Sequence, residues 1–441
     1  MFSCIFSSYR QLVSSGEVNL SEEVLHATSW RSCTVSLFAK TNCALRIRAV
    51  DRGAVMCTME SLRVLELYSG IGGMHYALKE SGIPCQVVVA IDINTATNQI
   101  YRHNFPDTPL WNKTIEGIPL EDFNKLSFDV ILMSPPCQPF TRIGLQGDIH
   151  DLRTKSFLYI LNVLPRLHRL PRFILLENVK GFESSSARNI LVKTLMECGY
   201  TFQEIMVSPT SVGIPNSRLR YFLTANLATN KLSTQTKISD AHPHPSEYDS
   251  SELPADLYPT HTSTCQPEED LQGGPVLYKL ETATDVQRKM IQNNNLSVRQ
   301  IQDFLEPQME ANLENFLLPP KTLLRYALLL DIVQPSSRRS VCFTKGYGRY
   351  VEGTGSVLTN CMETEMEHAF THLDQCSEEE KLKRLMKLKL RYFTPREVAN
   401  LMGFPQSFCF PEQISTRQQY KALGNSLNVL VVTKLLQTLL S

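Results

Sequence analysis

Leu62-Arg63-Val64-Leu65-Glu66-Leu67-Tyr68-Ser69-Gly70-Ile71-Gly72-Gly73 is an apolar run that passes at once into a turn holding three glycines. The first six residues read as a buried strand. The glycines allow a tight reversal and a close approach of backbone to ligand. Met74 to Glu80 reads as the helix that this turn opens, and strand, glycine turn and helix together are the first unit of an open α/β sheet. A second strand, Val87 to Ile91, is closed by Asp92 and followed by a helix from about Asn94 to Asn104. An acid at that point can accept hydrogen bonds from ribose hydroxyls. The turn lacks G-x-G-x-x-G spacing and runs straight into helix, which leaves little room for a pyrophosphate. It leans towards a nucleoside cofactor without phosphates, such as S-adenosylmethionine; a turn needed only for close packing is the other reading.

Val130 to Met133 and Phe173 to Leu176 read as further buried strands, separated by a helical stretch within Thr154 to Leu167. Phe202 to Val207 and Arg220 to Ala225 form a later strand pair. Directly after Met133 comes Ser134-Pro135-Pro136-Cys137-Gln138-Pro139-Phe140. Proline fixes φ and removes a backbone donor, so the loop is stiff and can hold a reactive side chain still. Taken alone, a cysteine so placed reads more readily as an inert buried thiol. Glu177 and Asn178 end the Phe173 to Leu176 strand, and fall on the same sheet edge as Cys137 if the two strands are parallel. Cytosine suits such a pair: a thiolate can add to carbon 6 while a carboxyl hydrogen-bonds N3 and the exocyclic amine. A strand-end residue capping the next turn is the plain alternative for Glu177. Arg218 and Arg220 flank Leu219, so an extended backbone puts both guanidiniums on one face, as phosphate or base ligands or as a surface ion pair. Gly424-Asn425-Ser426-Leu427-Asn428 precedes a final apolar helix, where a polar loop can cap the helix and close over a cofactor.

The chain has 441 residues, 42% of them hydrophobic and 20% charged, the values of an ordinary globular protein of more than one domain. Forty-four basic residues balance 44 acidic ones, so a polyanion must be held by a local basic face. The 12 cysteines are scattered without C-x2-C spacing, which predicts a reduced intracellular protein and no zinc ribbon. No run reaches the roughly 18 residues of a membrane span. The expected organisation is an extension over 1–58, a catalytic region over 59–228, a linker over 229–275, where serine, threonine, proline and histidine crowd in, a second region over 276–390, and a returning C-terminal segment over 391–441. Ser377 and Glu380 predict a capping box on a lysine-rich helix.

In this order the motifs resemble the cytosine-5 methyltransferases from Met59 to the C-terminus. Leu65 to Gly73 resembles the cofactor loop, Pro135-Pro136-Cys137-Gln138 the nucleophile loop, Glu177-Asn178-Val179 the base-contacting acid, Arg218-Leu219-Arg220 the paired arginines, and Gly424-Asn425-Ser426 the last motif. The resemblance implies a Rossmann-like S-adenosylmethionine-dependent α/β sheet, with a smaller target-recognition domain inserted before the C-terminal segment. It implies Cys137, Glu177, Arg218 and Arg220 as the catalytic set. Ile71, Gly72, Gly73, Asp92, Ile115, Glu116, Ser134 and Ser426 are implied as the S-adenosylmethionine pocket, with no metal. Asn216 stands where the family usually has glutamine. Cys342-Phe343-Thr344 resembles the subgroup once named as a DNA methyltransferase, whose members methylate tRNA, principally a cytosine in the anticodon loop of aspartate tRNA. The cytoplasm, with the nucleus as a second compartment, is the expected location.

The RNA is expected along 340–389. Arg338, Arg339, Lys345 and Arg349, interleaved with Phe343, Tyr347 and Tyr350, suit phosphate contact and base stacking, with Cys342 and Thr344 between them. Lys383, Arg384 and Lys387 would add phosphate contacts, or form a solvated face. DNA cytosine methylation, with DNA as the weaker partner, and a catalytically weak RNA-binding homologue are the competing functions.

Overall fold

The computed structural model describes residues 61–141, 147–228, 246–247, 282–307 and 313–440. The expected extension over 1–58 and, apart from 246–247, the expected linker over 229–275 lie outside the described residues. β1 (Leu62–Leu67) turns through the glycines into α1 (Gly73–Ser81), and β2 (Cys85–Ile91) into α2 (Thr95–Asn104). Asn94 caps α2 by accepting from the amides of Ala96 and Thr97. β3 (Leu110–Trp111), α3 (Leu120–Leu126), β4 (Val130–Met133), α4 (Lys155–Val163), β5 (Phe173–Val179), α5 (Ser186–Glu197), β6 (Tyr200–Val207), β7 (Arg220–Leu227) and the short β8 (Ser246–Glu247) follow.

These strands form one sheet in the order β3-β2-β1-β4-β5-β7-β6-β8. β1 runs parallel to β2 and β4, and β4 to β5, whereas β7 runs antiparallel to both β5 and β6. All four residues of β4 are buried, as in a strand covered on both faces. Val64 and Leu132 pack into one core with α1 and α2; Leu65, Leu67, Ile131 and Met133 pack into the other with α3, α4 and α5. That alternation is the period of two along a strand.

A smaller lobe contains α6 (Ala283–Asn294), α7 (Pro320–Tyr326), β9 (Ile332–Val333), β10 (Val357–Leu358), α8 (Glu363–Phe370), α9 (Glu378–Lys387) and β11 (Arg391–Tyr392). Its strands pair in the order β11-β10-β9 over a core of its own that includes Leu323, Leu330, Val357, Phe370 and Leu385. α10 (Pro395–Leu401), α11 (Thr416–Gly424) and α12 (Val429–Leu439) then return to the large sheet. Thr433 of α12 donates to the carbonyl of Ala77 in α1, at 3.4 Å. Ser377 caps α9 through the amide of Glu380, but the reciprocal half of the expected box is absent, because the Glu380 carboxylate takes Arg384 Nε at 2.9 Å instead.

Candidate active site

Three adjacent strands build one edge. β4 stops at Met133 because Pro135 and Pro136 follow, and Cys137 sits in right-handed helical backbone at the head of a short turn over Gln138–Phe140. The loop is tied on both sides: Ser134 Oγ donates to the carbonyl of Tyr68 at 3.2 Å, and Asn178 Nδ2 to that of Pro135 at 3.3 Å. β5 does not end at Leu176 as the sequence predicts. Past the last pair with β4, Met133 with Leu176, it stays paired to β7, Glu177 opposite Phe222 and Val179 opposite Arg220. The antiparallel β7 therefore begins at the edge where β4 ends, and delivers Arg220 beside Glu177, with Nε 3.5 Å from Oε1.

Burial raises the pKa of Glu177 above the usual carboxylate value, against the pull of Arg220 and Arg218. Burial and Glu177 likewise push the Cys137 thiol up, while Arg220 and Arg218 pull it down. Both shifts run towards the uncharged form of the group.

Arg218 lies just before β7 and is 4% exposed. Nη1 donates to the carbonyl of Phe343 at 3.0 Å and to Cys342 Sγ at 3.2 Å; Nη2 donates to the carbonyls of Gly424, at 3.2 Å, and Ser426. It fastens the smaller lobe and the C-terminal loop to the sheet. Asn216 does related work, donating to Ser340 Oγ at 3.0 Å and to the carbonyl of Val341 at 3.1 Å.

A cavity of about 500 Å³ runs from this edge to the glycine turn. Asp92, Ile115, Glu116, Ser134 and Ser426 line it, as do Cys137, Glu177, Arg218 and Arg220. Asp92 accepts from the amides of Gly70, at 2.9 Å, and Asn94, at 2.7 Å, which holds the turn against the end of β2. Burial raises its pKa against those amides. Ile71, Gly72 and Gly73 do not belong to the lining. Ile71 points into the core at 2% exposure. Gly72 has φ +84°, and a Cβ there would lie 2.4 Å from Phe105 Cε2. Gly73 is covered by Leu427 and Ser426. Tyr68 and Gly70 face the cavity in their place, beside Ile93, Asn94, Leu152 and Arg153. The D-x-N spacing from Asp92 to Asn94 signals the cap. Leu152 and Arg153 carry no such signal, because Asp148 places them by accepting from the amides of Ser186, at 2.6 Å, and Ala187, at 3.1 Å, at the start of α5.

Among the expected RNA contacts, Arg339, Phe343 and Tyr347 are corrected; Tyr347 is 3% exposed, and its Oη donates to the carbonyl of Ser356 at 2.6 Å. Arg339 is 4% exposed and paired with Asp331, which also holds Lys289 Nζ at 2.7 Å. Phe343 is 1% exposed, with its ring against Tyr347 and Phe393. A basic and aromatic stretch reads the same whether it faces water or the core. Cys342 turns inward to the arginine pair; Thr344 is half-buried and Lys345 exposed. Lys383 is exposed, and Arg384 is half-buried against Glu380; neither lines the cavity.

The model of the C-5 cytosine-specific DNA methylases matches residues 62–441. A tRNA (cytosine(38)-C(5))-methyltransferase of Homo sapiens is 55% identical over 397 residues, spanning 86% of this chain and 100% of the relative. A DNA (cytosine-5)-methyltransferase of Dictyostelium discoideum is 38% identical over 386 residues, spanning 87% and 95%. A solved DNMT2 variant of Spodoptera frugiperda superposes with a TM-score of 0.66 at 39% identity, covering 86% of this chain and 100% of its own. The match runs through every strand that brings Cys137, Glu177 and Arg220 to one edge, and the chain belongs to the C-5 cytosine-specific DNA methylase family.

Proposed function

We propose that this protein transfers a methyl group from S-adenosylmethionine to carbon 5 of a cytosine in the anticodon loop of tRNA, principally aspartate tRNA. The observation that carries the chemistry is the meeting of Cys137 with the Glu177–Arg220 pair, 3.5 Å apart, at the mouth of a cavity of nucleoside size. The choice of tRNA is supported by the name of the human relative, tRNA (cytosine(38)-C(5))-methyltransferase. The Dictyostelium relative's name keeps DNA as the second acceptor.

The cavity fits such a cofactor. Asp92 stands at the end of β2 as a hydrogen-bond acceptor for a ribose, Ile93 is 62% exposed beside it as an apolar surface for a base, and Ile115 and Glu116 close the wall. When bound, S-adenosylmethionine supplies an electrophilic methyl group. Carbon 5 of cytosine is a poor nucleophile; once Cys137 has released its thiol proton to solvent, the thiolate raises the electron density there by adding to carbon 6. Glu177, whose burial shifts it towards the protonated form, donates as the acid to N3 and offsets the charge that the addition places on the ring. Arg220 orients Glu177. Carbon 5 takes the methyl group with S-adenosylhomocysteine as the leaving group, and loss of the carbon-5 proton to solvent with expulsion of the Cys137 thiolate restores the ring. The stiff proline loop keeps Cys137 still, so the base must turn out of its stack, which costs least in an RNA loop. The target-recognition role falls to the lobe within 276–390, with the exposed Lys345, Lys383 and Lys387 as phosphate ligands.

The test is transfer of labelled methyl groups into separated tRNA and DNA by the full chain and by Cys137→Ala. Label in tRNA that Cys137→Ala abolishes, mapped to aspartate tRNA, is the expected result. Label confined to DNA overturns the choice of tRNA, and binding without transfer in either overturns the enzyme.

A further inference from the structure

Two guanidiniums meet at this site, and only one has a carboxylate. Arg220 pairs with Glu177 at 3.5 Å. Arg218, 4% exposed, pairs with no carboxylate among the described residues; its partners are three backbone carbonyls and Cys342 Sγ. A guanidinium keeps its proton, and a charge taken out of water needs an opposite charge. The one atom touching Arg218 that can carry a negative charge is the Cys342 sulfur, 3.2 Å from Nη1, and Arg220 Nη2 reaches the same sulfur at 3.9 Å. The need is sharper if Glu177 works as a neutral acid, because both guanidiniums then lack a carboxylate. Burial pushes the Cys342 thiol up, but the two arginines outweigh it and hold the thiol below its ordinary value. Cys137 lies in the same field and is displaced the other way, by burial and by Glu177.

We infer that Cys342, as a thiolate, is the shared counter-ion of Arg218 and Arg220, a positioning residue that keeps Glu177 free to remain neutral and Cys137 protonated until substrate arrives. The inference rests on the reading of Cys137 and Glu177 given above. The groups facing Cys342 are those two arginines, with Glu177 and Cys137 across from them. Removing the thiolate leaves the full guanidinium charge acting on Glu177 and Cys137. Both then lose their protons more readily, so methyl transfer falls although Cys137 becomes more reactive towards alkylation.

Two measurements test this on the full chain, neither of which needs methyl transfer. The first is thiolate absorbance near 240 nm in a Cys137→Ser background, with and without Cys342→Ser. The expected result is the loss of one thiolate at neutral pH; equal absorbance overturns the inference. The second is the pH dependence of Cys137 alkylation by iodoacetamide, read by peptide mass. Cys342→Ser should move the profile to lower pH by about one unit, and Cys342→Asp, which restores an anion, should move it back. A purely structural role changes unfolding without moving that profile, so an unmoved Cys342→Ser profile, or a Cys342→Asp profile like that of Cys342→Ser, overturns the inference. Absence of methylation in wild type would overturn the proposed function, while these two readouts still decide the counter-ion.

Discussion

Two buried carboxyls on strands of the same sheet serve different ends. Glu177 faces the cavity, and its proton is part of the proposed chemistry. Glu177→Gln keeps the shape and one donor but has no proton to give, so the rate of the chemical step should fall by about 10²-fold or more while substrate KM changes little. Single-turnover methylation at saturating substrate measures it. Glu66 lies in β1 beneath the glycine turn, 1% exposed, and accepts from Tyr101 Oη at 2.7 Å; that hydroxyl meets His75 Nδ1 at 2.8 Å. Burial pushes the Glu66 pKa from 4.5 to about 8, with Tyr101 opposing. The folded state therefore keeps a proton that the unfolded chain releases. Stability from this group is full below pH 4.5 and is lost as pH rises to about 8. Glu66→Gln should remove that slope and gain on wild type by a few kcal/mol across the window, as read from urea midpoints at pH 5 and pH 8.5. A constant difference between the two proteins would refute it. His75, buried beside Lys79, is held down to about 4 and stays neutral throughout.

At the scale of elements, the site depends on loops from distant parts of the chain pressing together. The end of α11 is the tightest case. A Cβ on Gly424 would fall 2.2 Å from the backbone nitrogen of Lys345 and from the carbonyl carbon of Thr344, and backbone cannot swing aside. Gly424→Ala should part the C-terminal loop from the 342–345 stretch, loosen the carbonyls held by Arg218, and destabilise the fold by about 1–3 kcal/mol. Thermal unfolding together with cofactor affinity checks this; weaker cofactor binding is expected because Ser426 lines the cavity. The sequence foretold the glycine turn, the proline loop and the strands β1, β2 and β4 because those signals are local. It stopped β5 at Leu176 because the partner that carries the strand to Val179 is β7, more than 40 residues on. Arg339, Phe343 and Tyr347 were misjudged because a basic and aromatic stretch has the same composition exposed or packed; their burial is set by Asp331, Phe393 and Tyr420.

For the whole molecule, charge decides how a polyanion is held. With 44 basic and 44 acidic residues there is no long-range net attraction, so RNA affinity must come from local clusters. Helix α9 offers one, but its members differ. Its first turn carries Glu378, Glu379 and Glu380, and Arg384 is spent on Glu380 at 2.9 Å and on the carbonyl of Thr371 at 3.2 Å. Lys383 and Lys387 are exposed and form no ion pair among the described residues. Each phosphate contact contributes about 0.7–0.9 to the slope of log K against log salt. Substituting both lysines by alanine should therefore weaken tRNA binding and lower that slope by about 1.5, whereas Arg384→Ala should change it less. Filter binding across a salt series separates these outcomes. A slope unchanged in the double variant would make α9 a solvated face of the lobe and move the RNA track towards Lys345 and Arg349, which stand exposed on the loop beside Gly424.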